Sequence, residues 1–128
     1  GHKLSVYEKI LNVKKGVSME LITPKMLDEL PTIEEFDKPF EDENMKLDDV
    51  ELKYKFFCPW SDWKWYPTAY DKDTKIFFGA VDGLYVEWGS FSLEELEEQV
   101  GPVGMRIERD LYFTPVKFKD LKTTGERF

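Results

Sequence analysis

Residues 53–91 hold all four tryptophans and half of the ten phenylalanines, and they restrict the fold more than any other stretch. Aromatic and β-branched residues alternate there with polar ones and are interrupted by Pro, Ser, Asp and Gly, a pattern of short antiparallel strands. A first strand over about 50–57 sets Leu52, Tyr54 and Phe56 on one side and Lys53, Lys55 and Phe57 on the other. Pro59-Trp60-Ser61-Asp62 makes the turn. The second strand, about 63–70, opposes Trp63, Trp65 and Ala69 to Lys64, Tyr66, Thr68 and Tyr70. Pro67 removes one ladder donor from it, which favours an edge position or a bulge. After the Asp71–Thr74 turn, IFFGAV and LYVEWG flank Asp82-Gly83 and predict a hairpin closed by a two-residue turn. That register pairs Val81 with Leu84, Gly79 with Val86 and Phe77 with Trp88 on a core face, Gly79 leaving room for a ring. Ala80 then pairs with Tyr85, Phe78 with Glu87 and Ile76 with Gly89 on the opposite face.

Helical signals flank this block. Leu4, Tyr7, Ile10 and Leu11 recur at helical spacing, and Lys14-Lys15-Gly16 reads as a stop. Gly1-His2 reads as a cloning remnant, and Met19 as the start of a shorter version. Residues 1–18 are therefore read as an N-terminal extension. Thr23 caps a helix with Pro24 at its first position; Met26, Leu27 and Leu30 share a face, and Pro31 stops it. Residues 32–50 are read as an irregular connection anchored by Ile33, Phe36, Phe40, Met45 and Leu47. Ser92 with Glu95 forms a capping box, and Phe91 with Leu96 a hydrophobic staple. That helix turns Leu93, Leu96 and Val100 to the sheet and ends at Gly101-Pro102. Residues 103–110 read as loop, 111–118 as a last extended segment and 119–128 as a flexible tail. The expected architecture is one α+β domain over 19–118: an antiparallel meander of four to five strands with short helices packed at its ends.

Charge narrows the partners. The net charge is −8, but residues 28–51 hold eleven Asp and Glu against two Lys, so the rest of the chain is close to neutral. Duplex DNA affinity comes from Lys and Arg neutralising phosphates, and this balance argues against it. A solitary thiol, Cys58, rules out an internal disulfide and fits a reducing compartment, hence a cytoplasmic reading. It is read as a half-buried packing residue. No apolar run approaches the 18–20 residues, roughly, of a membrane span.

The familiar chemistries lack their residues. One cysteine and His2 cannot assemble an ordinary zinc site. Asp71-Lys72-Asp73 opens like a calcium loop, but Lys75 stands where an oxygen ligand belongs. Nucleophilic catalysis lacks a histidine base, and no glycine-rich phosphate cradle occurs. Glu87, Glu108, Asp110, Asp62 and Asp82 are the carboxylates that could converge; Asp82 is better explained by its turn. Arg106, Glu108, Arg109 and Asp110 are better explained as ion pairs or loop clamps. The expectation is no catalytic residue, no cofactor and no metal.

Several spaced blocks follow one another in a set order. They are Glu20-Leu21-Ile22-Thr23 with Leu30-Pro31, Lys55-Phe56-Phe57 with Pro59, and Trp63-Lys64-Trp65-Tyr66. Then come Phe77-Phe78-Gly79 with Val81-Asp82-Gly83, Glu87 to Leu93, and Glu108 to Leu111 leading to Phe113 and Pro115. Over residues 19–118 this order resembles a small family of bacterial domains of unknown function. Its members are encoded on plasmids and conjugative elements, alone or within larger LtrC-like, antirestriction-associated proteins. The acidic stretch 32–51 is longer than the resemblance leads one to expect. The likeness implies a mobile-element context and assigns no chemistry.

Three functional readings remain. The first is a non-enzymatic, protein-binding accessory domain, with Trp60, Trp63, Tyr66 and Tyr85 as contacts. The second is a module that stacks single-stranded nucleic acid on the 53–70 face, using Lys53, Lys55, Lys64 and Tyr66 with Arg106 and Arg109. The third treats residues 28–51 as an acidic surface for a basic or DNA-binding partner.

Overall fold

A computed structural model describes residues 20–42, 44–123 and 126–127; the helix expected over 3–12 lies outside them. The chain is α+β, and its centre is the aromatic block. β1 (Glu51–Leu52) and β2 (Phe56–Phe57) are followed by three long strands, β3 (Lys64–Asp71), β4 (Ile76–Asp82) and β5 (Tyr85–Ser92). β6 (Glu108–Arg109), β7 (Val116–Lys117) and β8 (Glu126–Arg127) are short. The main sheet has the order β6-β2-β3-β4-β5-β8, antiparallel throughout except that β8 adds parallel to β5. β1 and β7 form a separate two-stranded ribbon. The expected first strand is thus split: residues 53–55 break it, and its halves join different sheets. Residues 108–109 and 126–127, read from sequence as loop and tail, take up edge pairings instead.

The β4–β5 hairpin departs from its expected register by three residues. Asp82 pairs with Val86, Ala80 with Trp88, Gly79 with Gly89 and Phe77 with Phe91. The loop is Gly83-Leu84-Tyr85, with the Gly83 N–H donating to the Tyr85 carbonyl at 3.1 Å. Neither Asp82 nor Gly83 adopts the positive φ that the expected two-residue primed turn requires. An odd shift turns Phe77 and Trp88 to opposite faces. The alternation could not select the register because both faces of the sheet are covered.

On one face Phe56, Trp65, Tyr70, Phe77 and Phe91 pack beneath Leu21, Met26 and Ile107 and beneath Leu93 and Leu96. Phe77 is the hub, its ring centroid 4.7 Å from Tyr70, 5.4 Å from Phe91 and 5.5 Å from Phe56. On the other face Tyr66, Ala80 and Val86 pack against Val50, Leu52 and Phe118, with Phe36, Phe40 and Trp88 at the margin. Cys58 is buried in the first core.

Pro67 sits in a central strand, not at an edge, and a bulge accommodates it. Pro67 pairs with Gly79 and Ala69 with Phe78, leaving Thr68 as the extra residue. The Thr68 hydroxyl donates to the Phe78 carbonyl at 2.9 Å, and the Tyr70 N–H to the Pro31 carbonyl at 2.9 Å. The bulge reverses the alternation, so Tyr66 and Tyr70, expected on one face, enter opposite cores. Gly79 is required by backbone rather than by a ring: a Cβ there would lie 2.0 Å from the Tyr66 carbonyl oxygen.

The helices follow their caps. α1 (Pro24–Glu29) is capped by Thr23, whose hydroxyl accepts from the Met26 N–H at 3.2 Å. α2 (Ile33–Asp42) occupies the segment expected to be irregular. Thr32 and Glu35 make a reciprocal capping box, with bonds of 3.1 and 3.3 Å. Pro39 inside the helix costs about 3 kcal/mol. The cap contributes about 1 kcal/mol, and Phe36 and Phe40 each contribute on the order of 1.5–3 kcal/mol to the extent that the sheet covers them, so the helix survives its proline. α3 (Leu93–Glu98) has Ser92 accepting from the Glu95 N–H at 3.2 Å. It ends at Glu98, which leaves Val100 exposed rather than on the sheet.

Candidate interaction surface

The turn between β2 and β3 and the β4–β5 loop meet at one end of the sheet. The Cys58 N–H donates to the Trp63 carbonyl at 3.0 Å, closing the turn, and the Trp63 N–H donates to Ser61 Oγ at 3.2 Å. Trp63 is thereby laid over Gly83, where an added Cβ would meet its ring at 2.5 Å, and its centroid lies 6.1 Å from Trp65. The ring stays 41% exposed beside Leu84 at 78% and Tyr85 at 46%. From the same turn, half-buried Trp60 covers Gly101, whose added Cβ would meet that ring at 2.3 Å. The sheet end thus carries an apolar rim of Trp60, Trp63, Leu84 and Tyr85.

The other sequence-predicted contacts are placed differently. Tyr66 is 1% exposed and belongs to the core; it lies on the face opposite Trp65, as expected, but Val50, Leu52 and Phe118 cover that face and remove it from any contact set. Burial, and then the carboxylates of Asp82 and Asp110, push its phenol above the ordinary tyrosine range. Lys55 pairs with Asp110 at 3.6 Å, and Lys64 Nζ donates to the Asp62 carbonyl at 2.9 Å. Arg106 donates to the Glu97 carbonyl at 3.2 Å. Arg109 donates to the carbonyls of Glu20 and Leu21 at 2.8 and 3.0 Å, which pins the segment before α1 across β6. Burial lowers its guanidinium pKa, with Glu20 acting in the opposite direction. Both arginines therefore act as loop clamps. Lys53 is exposed just after β1, where it lines the groove between α1, α2 and β1.

A second concave feature lies where α1, α2, β1 and β3 meet, a groove of about 260 Å³. It is lined by Leu30, Pro31, Phe36, Phe40, Met45 and Pro67 together with Glu29, Glu35, Glu51 and Lys53. The Tyr54 hydroxyl donates to Glu29 at its margin. Burial, reinforced by Glu29, holds the Tyr54 phenol well above its usual range. Sequence reasoning missed the groove; the signal was the capping box at Thr32 and Glu35 followed by Phe36 and Phe40 one turn apart. Among the described residues, no group of three His, Cys, Asp or Glu side chains is placed to hold a metal ion. No helix among them is long and apolar enough to cross a membrane.

A family model described as "Protein of unknown function (DUF2958)" matches residues 21–119. The chain belongs to this family. No curated protein and no solved structure matches it. The DUF2958 match spans the packed body closely. It opens at Leu21, fully buried under the Arg109 clamp, and ends within the 3-10 turn Phe118–Asp120, whose Phe118 packs in the second core. Both the apolar rim and the groove fall inside the DUF2958 region.

Proposed function

We propose that this DUF2958 domain is a non-enzymatic interaction module, an accessory of a mobile genetic element, that binds a partner protein through the rim of Trp60, Trp63, Leu84 and Tyr85. The observation that carries this reading is the fixed exposure of Trp63, held half out of the core by its seat on Gly83. A large rigid ring kept partly wet and surrounded by further apolar residues is the composition of a protein-binding hot spot. The mobile-element context rests on the order of the sequence blocks.

Single-strand binding is disfavoured by the same geometry. A stacking platform needs accessible rings above a cationic track. Here Tyr66 and Trp65 are buried, Lys55 pairs with Asp110, and both arginines are committed to backbone carbonyls. The acidic-surface reading gains one observation. α2 carries Glu34, Asp37 and Glu41, all exposed, at the i, i+3 and i+7 positions of one stripe.

The test joins two measurements. A Trp63→Ala/Tyr85→Ser variant, with its near-ultraviolet circular dichroism otherwise retained, is expected to lose the partner captured from the native host by the parent chain. Tryptophan fluorescence titrated with oligonucleotides at low and high salt is expected to stay unquenched. Retained capture would sink the rim, and salt-sensitive quenching would favour the nucleic-acid reading.

A further inference from the structure

We propose that the groove between α1, α2 and β1 is the docking site for residues 3–15 of this chain, an internal amphipathic segment. The inference uses none of the rim residues and stands whatever partner the rim takes. Size comes first. Pockets that hold drug-sized ligands measure roughly 300–1,000 Å³. At about 260 Å³ and open on one side, this groove suits two or three apolar side chains of a peptide better than a whole small molecule. Leu30, Phe36, Phe40 and Met45 give it an apolar lining, and Met45 remains 41% exposed.

Charge then selects the occupant. Three carboxylates, Glu29, Glu35 and Glu51, line the groove with one lysine, Lys53. An occupant must therefore join an apolar face to positive charge. Residues 3–15, KLSVYEKILNVKK, supply Lys3, Lys9, Lys14 and Lys15 against a single Glu8. Their Leu4, Tyr7, Ile10 and Leu11 recur at the spacing of a helix that lays one face in a groove. These residues lie outside the described part of the structure, so reach is argued from chain length. From Leu11 to Glu20 is nine residues, about 30 Å when extended. The way from Glu20 to the groove is shorter: a few residues to Thr23, then a six-residue helix of about 9 Å, ending at Glu29 and Leu30 on the groove margin. Tethering keeps the effective concentration high, so modest apolar contact suffices.

The experiment is amide hydrogen exchange on the full chain at low protein concentration. Leu4→Asp/Ile10→Asp, a change outside the packed body, is expected to speed exchange over residues 32–45 at least tenfold. Amides of β3–β5 should keep their rates, which separates undocking from unfolding. Glu51→Lys, at an exposed position on the groove margin, is expected to speed exchange over residues 3–15 about threefold at low salt and little at high salt. Unchanged rates over 32–45 in the double variant would overturn the proposal. Protection of the groove that disappears on dilution would also overturn it and make the occupant a second copy of the chain.

Discussion

At the scale of the residue, two backbone positions carry more consequence than their small side chains suggest. Gly79 lies opposite Pro67 where the bulge brings the strands together, and the Tyr66 carbonyl oxygen occupies the place of a Cβ. The obstacle is backbone inside a covered sheet, so it cannot swing aside. Gly79→Ala is expected to lower stability by about 3 kcal/mol, the upper part of the range for overpacked cores, read as a fall in the urea midpoint. An unchanged midpoint would mean the bulge is not formed as described. Val103 is the opposite case. It holds φ 51° immediately before Gly104 at φ 79° and is 92% exposed. A β-branched residue is disfavoured in that left-handed region, whereas asparagine tolerates it. Val103 buries almost nothing that could compensate. Val103→Asn should therefore raise stability by about 1 kcal/mol, seen as a higher thermal midpoint with the fold unchanged.

At the scale of the element, the helix caps decide which segments fold and how far the sequence discloses them. Thr23-Pro24 and Ser92 with Glu95 stand directly before apolar periodic residues, so α1 and α3 were legible. Thr32 and Glu35 form an equivalent box before α2, but acidic residues and Pro39 surround them and the segment reads as loop. Its helicity is settled by Phe36 and Phe40 resting against the sheet, with Phe36 centred 5.6 Å from Phe78 and 6.2 Å from Trp88, a long-range fact. The same reason hid the hairpin register. Alternation identifies a core face only when the other face is wet, and neither face of this sheet is. β6 and β8, two residues each, are defined by distant partners, so no local pattern marks them. Of the candidate contacts, Trp63 and Tyr85 were readable as rings beside turns. Tyr66 was not, because the residues that cover its face, Val50, Leu52 and Phe118, come from distant parts of the chain. Thr32→Ala tests the role of the α2 cap. It should cost about 1 kcal/mol and speed amide exchange in the first turn of α2 well before exchange in β4.

At the scale of the molecule, the sheet is a shared wall between two cores, and the tyrosines report whether they fall together. Tyr66 lies in the core beneath α2 and the β1 ribbon, and Tyr70 in the core beneath α1 and α3. Burial is the leading cause that raises both phenols above their ordinary pKa; Asp82 and Asp110 add to it at Tyr66, while Lys75 opposes it at Tyr70. The sign follows from proton counting. Above about pH 10 an unfolded tyrosine has lost its proton, whereas these two retain theirs while the protein is folded. The unfolded state then binds fewer protons, so stability falls as pH rises. The contribution is complete below about pH 10 and is lost between there and the raised native values. Each phenol accounts for a slope of about 1.4 kcal/mol per pH unit, so the pair makes stability fall steeply in alkali. Because both cores pack on the same three long strands, phenolate absorbance from Tyr66 and Tyr70 is expected to appear in one step, together with loss of near-ultraviolet circular dichroism. Tyr66→Phe should lower the alkaline slope by about 1.4 kcal/mol per pH unit while leaving a single transition. Two separated steps, one for each phenol, would show that the cores open independently and that the sheet does not couple them.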